Sequence, residues 1–298
     1  MSAGEQVARL DGVEIAYDTI GDPAQPALLL VMGLGMQLIH WPDELCAALA
    51  ERGFHVIRFD NRDAGRSTHW PGPPPDVMRA AIGRPVNVPY KLTDMAGDAI
   101  GLLDHLGVDS AHVAGASMGG MIGQTLAIEH PDRVLSLTSI MSTTGERRVG
   151  RPRLRTLGVL LRKAPREREA YAEHMVRVFR AIGSPAYTTD EGRLRELARA
   201  AHERGHDSAG VARQLVAIMA SGDRTEALRR LDLPVLVIHG AADPLIPARA
   251  GRATAGAVPR AELIEVPGMG HDMPLELWPR LIDAIAANAA RAVPAQVA

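Results

Sequence analysis

One cysteine, Cys46, is all the chain holds, which excludes an internal disulfide and any metal cluster built on several thiolates. Excess charge of one sign is missing as well. A net charge of −2 over 298 residues gives no general pull toward nucleic acid or an anionic membrane. No apolar run is long enough to span a bilayer, and the first residues lack the basic-then-apolar pattern of a secretory leader. A reducing cytoplasm is therefore the expected location. What the chain does have is a 46% hydrophobic share, ample for a sizeable core. Its length is large for one compact core and small for two, so an α/β domain carrying an inserted subdomain is expected.

The stretch that organises the chain is His112-Val113-Ala114-Gly115-Ala116-Ser117-Met118-Gly119-Gly120. An apolar run suited to a buried strand drives into a serine bracketed by glycines, and residues 118–129 leave as an amphipathic helix. Gly-x-Ser-x-Gly is the pattern of a nucleophile elbow, where the turn is so tight that the hydroxyl projects past the sheet edge. The positions two before and two after the serine must be nearly free of side chain, which Gly115 and Gly119 satisfy. The opening turn of the helix also aims N–H groups and a positive dipole end at any oxygen above Ser117. A rival reading is a dinucleotide phosphate cradle. It asks for an acidic residue after the next strand, and residues 134–140 run instead into Met141-Ser142.

Around this joint, strands alternate with helices. Residues 6–18 carry two alternating runs about Asp11-Gly12, a hairpin signature. The wholly apolar run Ala27-Leu28-Leu29-Leu30-Val31-Met32 ends in Gly33-Leu34-Gly35, where a free N–H at Leu34 could act as a second oxyanion donor beside Met118; a plain tight turn is the alternative. A helix over 41–52 leads to a strand over 55–60. The loop Asn61-Arg62-Asp63-Ala64-Gly65-Arg66-Ser67 is expected to be held by its own Asp–Arg hydrogen bonds rather than to touch substrate. Residues 71–89 hold too many prolines for a helix or central strand, which places them outside the sheet at the rim of the site. A helix over 92–106, capped by Thr93, delivers the chain to the elbow. No strand-like run interrupts 143–231, so residues 145–231 are expected to form a helical cap or lid inserted into a core of residues 1–144 and 232–298. Nine basic residues and one acidic, Glu167, fall within 147–168, and a solvated helix face is preferred there over steering of an anionic substrate. Strands return at 234–240 and 261–266, separated by a helix over 248–257, and an amphipathic helix over 275–289 closes the fold.

This alternation implies a mostly parallel sheet with helices on both faces, whose sites gather at the strand C-terminal ends. Ser117, Asp243, His271 and the Gly33-Leu34 turn each follow a different strand and so come to one edge. A serine hydroxyl needs a base, and the base needs a carboxylate to fix its tautomer. Of eleven histidines, His271 alone follows a strand after the elbow within a glycine-rich loop, Pro267-Gly268-Met269-Gly270. His239 is expected to be a core or rim residue. Asp243 is the candidate acid, with a turn-capping role as its alternative; Asp272 adjoins His271 and orients it poorly, and Glu146 is the reserve.

These residues resemble a serine hydrolase of the α/β-hydrolase superfamily. Gly115-Ala116-Ser117-Met118-Gly119-Gly120 is similar to the family's elbow, Gly33-Leu34 to its oxyanion turn, Asp243-Pro244 to its acid and Gly270-His271 to its base. Met32 stands where many members carry histidine. Val31-Met32-Gly33 and Pro267-Gly268-Met269-Gly270-His271 most resemble the anthracycline (aclacinomycin) methylesterase group. The resemblance implies an esterase of the α/β-hydrolase fold in which Ser117 attacks a carboxylic ester, His271 moves the proton, Asp243 orients His271, and the N–H groups of Leu34 and Met118 hold the oxyanion. It implies no metal and no organic cofactor. Gly33, Leu157, Leu160, Met175 and Phe179 are expected to shape the substrate pocket, with helix packing as the commoner alternative for the last four. The expected partner is a small ester, with no nucleic acid and no membrane; a homo-oligomer is compatible with the sequence. Lactone hydrolysis, acyl transfer to peroxide or another alcohol, and a non-catalytic binder on the same scaffold stay open, whereas dehalogenases and epoxide hydrolases need a carboxylate at position 117.

Overall fold

A computed structural model describes residues 4–150, 156 and 164–292. Eight strands make one sheet: β1 (Gln6–Arg9), β2 (Glu14–Ile20), β3 (Ala27–Val31), β4 (His55–Phe59), β5 (Ala111–Ala116), β6 (Val134–Ile140), β7 (Val235–Gly240) and β8 (Ala261–Val266). Their spatial order is β1-β2-β4-β3-β5-β6-β7-β8. The hairpin β1–β2 and the pair β2–β4 are antiparallel. From β4 onward every neighbour is parallel. The chain reverses direction at β3, between β4 and β5, the place where an open α/β sheet leaves a crevice outside its strand ends.

Because side chains alternate across a strand, the apolar runs feed two cores at once. Leu29, Val31, Ile57, Val113, Leu137 and Val237 pack on one face against α3 (Leu92–His105), α4 (Met118–Glu129) and, further along the chain, the helix Ala248–Ala257. Leu28, Leu30, Val56, Ala114, Leu236 and Ile238 pack on the other against α1 (Asp43–Glu51) and the closing helix Trp278–Ala290. Each fully buried Leu, Ile or Val contributes about 1.5–3 kcal/mol, which makes this double layer the main source of stability.

Three local expectations are corrected. Residues 118–129 do not form an amphipathic helix: Met118 through Ala127 are all buried, since α4 lies between the sheet and its neighbours. Thr93 does not cap α3; Lys91 is the cap residue, and the Asp94 carboxylate accepts its N–H at 2.7 Å. The proline-rich stretch does admit one short helix, α2 (Val77–Ala81), in the gap between Pro75 and Pro85. Between β6 and β7 the described residues form α5 (Arg168–Ile182), α6 (Glu191–Gly205), α7 (Ser208–Ser221) and the single turn α8 (Thr225–Leu228), with no strand among them. The helices after β7 are α9 (Ala248–Ala257) and α10 (Trp278–Ala290). Among the described residues no helix is long and apolar enough to cross a membrane.

Candidate active site

At the end of β5 the backbone turns back on itself within one residue. Ser117 takes φ 56° and ψ −118°, a region costing a non-glycine residue about 1–3 kcal/mol. Surrounding contacts hold it there. Its N–H donates to the Ile140 carbonyl at 2.9 Å, and its own carbonyl accepts the Ser142 hydroxyl at 2.8 Å. A Cβ on Gly115 would lie 2.2 Å from the Gly119 carbonyl oxygen, and one on Gly119 would lie 2.0 Å from that of Val31. Strand and helix therefore touch backbone to backbone, and only glycine fits at either position.

The Ser117 hydroxyl meets the imidazole of His271, with Oγ 3.0 Å from Nε2. On the other side of the ring, Nδ1 lies 2.7 Å from Asp243 Oδ2. The remaining oxygen of Asp243 accepts the N–H groups of Leu245 and Ile246 at 2.8 and 2.9 Å. His271 and Asp243 are buried, so the hydrogen-bonded chain is shielded from competing water along most of its length. The loop that delivers the ring is fixed by α5: the His271 N–H donates to the Ile182 carbonyl at 2.7 Å and the Gly270 N–H to the Ser184 hydroxyl at 2.8 Å.

The other candidates fall elsewhere. Asp272 accepts the hydroxyl of Ser184, and burial pushes its carboxyl above the usual carboxylate range. Glu146 lies in the turn after β6, where its N–H donates to Thr144 Oγ1. His239 is a fully buried core residue whose Nε2–H donates to the Ile246 carbonyl at 2.7 Å, steadying the turn that carries Asp243. Burial pushes its pKa down, which keeps the ring neutral. Burial likewise pushes the thiol of Cys46 up to about 12, so the lone cysteine is no rival nucleophile.

A cavity of ≈ 290 Å³ opens over Ser117 and His271, walled largely by apolar side chains including Met32, Leu34, Phe179, Leu245, Met273 and Trp278. Gly33 floors it: a Cβ there would stand 3.2 Å from Ser117 Cβ and 3.8 Å from Oγ. Neither the Leu34 N–H nor the Met118 N–H has a protein acceptor among the described residues. Both donors are free for an oxygen bound beside the serine.

Phe179 lines the cavity, but Met175 does not. It is buried between helices with Tyr171, Ala172 and Ala198, because the apolar stripe of α5 is wide enough to face both a neighbouring helix and the cavity. Leu157 and Leu160 lie outside the described residues, as does most of the basic segment 147–168. The proline-rich stretch is also corrected: much of residues 70–89 lines a separate hollow of ≈ 330 Å³ with Arg213, and none of it is among the residues lining the cavity over Ser117.

The sequence reading missed His40, Arg193 and Trp278, all at the cavity wall. His40 Nδ1 accepts the Gln37 N–H at 3.0 Å, and burial lowers its pKa to about 4, so it presents a neutral ring. Arg193 stacks on the Trp278 indole with 5.3 Å to the ring centre and pairs with Glu44 at 2.8 Å.

The loop after β4 is a further correction. The Arg66 N–H donates to Asp60 Oδ2 at 2.9 Å, but the Asp–Arg ion pairs are not internal. Arg62 makes a bidentate pair with Asp98 of α3 at 2.6 Å on both arms, and Asp63 one with Arg213 of α7 at 2.8 Å on both arms. Asp60 receives Arg204 of α6 at 2.5 Å. The loop is the buried junction between sheet and helical insertion.

Comparison with known proteins places this geometry. The family described as alpha/beta hydrolase fold matches residues 26–276. The rhodomycin D methylesterase DauP of Streptomyces sp. strain C5 is 33% identical, over 93% of this chain and 95% of that protein. 3-Oxoadipate enol-lactonase 2 of Acinetobacter baylyi is 28% identical, over 78% of this chain and 77% of its own length. A solved structure of a hydrolase from Pseudomonas aeruginosa superposes with a TM-score of 0.73 at 25% identity, covering 96% of this chain and 98% of that one.

Proposed function

The chain belongs to the alpha/beta hydrolase fold family, and on that footing we propose that it is a serine carboxylic ester hydrolase with Ser117, His271 and Asp243 as its catalytic triad. The observation that carries the reading is the unbroken hydrogen-bonded chain from Asp243 through His271 to Ser117, opening on an apolar cavity. His271 takes the hydroxyl proton as Ser117 attacks the ester carbonyl, and Asp243 stabilises the imidazolium that results. The carbonyl oxygen gains charge and is held by the N–H groups of Leu34 and Met118, each donor of this kind being worth about 10²–10³ in kcat. His271 then protonates the departing alcohol, and water repeats the sequence to free Ser117. Every proton moves between groups of this chain, the substrate and water.

The substrate we propose is an ester of a mostly apolar acid with a small alcohol, methanol foremost. The lining supports an apolar acid, and the methylesterase named above supports the small leaving group. Residues 145–231 act as a cap over a core of 1–144 and 232–298, with Gly33 and Phe179 forming part of the substrate pocket. Lactone hydrolysis is the second reading, supported by the enol-lactonase relative. A panel of methyl, ethyl and longer-chain esters beside lactones, assayed with wild type and Ser117→Ala, tests both. Turnover should be highest for methyl esters of apolar acids and absent in Ser117→Ala, with a fluorophosphonate labelling Ser117 in the wild type only. Substantial ester turnover by pure Ser117→Ala overturns the reading.

A further inference from the structure

The turn after β3 is braced from the helical insertion as well as by its own backbone. Gln214, on α7, is fully buried and makes two hydrogen bonds that point in opposite directions. Its Oε1 accepts the Gly35 N–H at 2.8 Å, and its Nε2 donates to the Arg62 carbonyl at 2.7 Å. The amide thus spans the gap between the turn after β3 and the loop after β4, which are past the end of their ladder and are joined directly by the Asn61 amide donating to the Met32 carbonyl at 3.0 Å. The helix fits closely on both sides. Gly35 adopts φ 67°, and a Cβ there would fall 2.8 Å from Val211 Cγ2; a Cβ on Gly210 would fall 2.5 Å from the Asp63 carbonyl oxygen. One residue away, Arg213 anchors the helix to Asp63 with both groups buried.

We propose that Gln214 is a positioning residue: by fixing Gly35 it keeps the preceding N–H, that of Leu34, aimed at the oxygen that gains charge above Ser117. The inference rests on the ester-hydrolase reading given above. It follows from how an oxyanion site works, since the donor must already stand where charge develops and must not reorganise during the reaction. Leu34 is held on one side by β3 and Gly33. On the other side the Met36 N–H closes the turn onto the Gly33 carbonyl at 3.1 Å, and Gln214 is the buried side-chain acceptor that receives the Gly35 N–H and fixes that turn against the helical insertion.

Gln214→Met keeps length and burial but removes both hydrogen bonds. It should lower kcat about 10- to 100-fold, the scale of a displaced catalytic group, with KM changed by less than about 3-fold. The inhibition constant of a trifluoromethyl ketone, which forms a tetrahedral oxyanion on the serine, should rise by the same factor as kcat/KM falls. Gln214→Glu, kept protonated by burial, retains an acceptor for Gly35 and an O–H donor for the Arg62 carbonyl, and should stay within about 3-fold of wild-type kcat. A merely structural role would lower the melting temperature and leave kcat and inhibitor affinity at the wild-type level well below it. Unchanged kcat in folded Gln214→Met, or equal losses in both variants, overturns the proposal. If neither variant folds, hydrogen exchange of the wild-type Gly35 amide decides: slow exchange supports the clamp, and exchange as fast as an open loop overturns it. Wild-type protein inert to esters and to fluorophosphonate overturns the ester-hydrolase reading itself, whereas active wild type with unaltered Gln214→Met overturns only the role of Gln214.

Discussion

Asp243→Asn replaces one oxygen with an NH₂ and should silence the site without unfolding it. The carboxylate is fully buried, with one oxygen taken by the N–H groups of Leu245 and Ile246 and the other facing His271 Nδ1 at 2.7 Å. Two N–H donors can be met only by an acceptor, so the carbonyl oxygen of the new asparagine must stay with them. Its NH₂ is then left against Nδ1. Two N–H groups cannot face each other, so the ring gives up the Nδ1 proton and carries it on Nε2 instead. Nε2 now points an N–H at Ser117 Oγ and has no lone pair to receive its proton. Loss of the correct tautomer in a triad of this kind costs about 10⁴ in kcat. That corresponds to about 5.5 kcal/mol of transition-state stabilisation at about 1.36 kcal/mol per tenfold. Shape and backbone bonds survive, so unfolding free energy should move by about 1 kcal/mol or less. The assay is kcat/KM on p-nitrophenyl acetate together with the rate of fluorophosphonate labelling; both should collapse while the melting temperature holds. If folded Asp243→Asn protein kept more than about a tenth of wild-type kcat, the tautomer reasoning would be refuted.

Two further outcomes concern stability. Removing Arg213 (Arg213→Met) leaves the fully buried Asp63 carboxylate with Tyr90 and the Trp70 N–H as its hydrogen-bond partners among the described residues, and should cost about 3–5 kcal/mol in a urea titration. Adding Asp63→Asn should recover part of that loss, and a cost below about 1 kcal/mol for the single variant would show the pair to be dispensable. His40 is neutral in the fold with its pKa lowered to about 4, while the unfolded chain takes up a proton near the ordinary value of 6.5. Its stabilising contribution is therefore complete above pH 6.5 and is lost as the pH falls toward 4, because the unfolded state binds the extra proton. The stability difference between wild type and His40→Gln should shrink across that window; a constant difference from about pH 7 to about pH 4 contradicts the assignment.

What could be read in advance follows from how local each signal is. The elbow, the apolar runs of β3, β5 and β7 and the glycines before His271 are patterns contained within a few residues, and the parallel topology then brings strand ends to one edge whatever the intervening chain does. The meeting of Ser117, Asp243 and His271 was legible for that reason. The buried pairs Asp63–Arg213 and Arg62–Asp98 were not, because a charged residue in a turn-rich stretch gives no sign of its partner, here 150 and 36 positions away. For Met175 the sequence left pocket wall and helix packing both open, because a stripe of apolar side chains at helical spacing does not tell which part meets a helix and which meets a void. Gln214 gave no signal, since an isolated glutamine in a helix reads as a solvated residue. His40, Arg193 and Trp278 were missed for a related reason: cavity walls are assembled from side chains brought together only by the finished packing.

The double attachment of the insertion also bears on how such an enzyme can change its diet. The later helices of the insertion grip the segment after β3 through Gln214 and through the Ala201 carbonyl, which accepts the Gln37 amide, and α5 with the residues just after it grips the loop that carries His271 through Ile182 and Ser184. Exchanging the whole segment between relatives as a cassette would disturb both halves of the machinery at once. New substrate preferences are more readily reached by single substitutions at wall positions such as Phe179, Leu245 and Met273, whose apolar side chains make none of these hydrogen bonds, which leaves the scaffold of reaction and the selector of substrate free to diverge at different speeds.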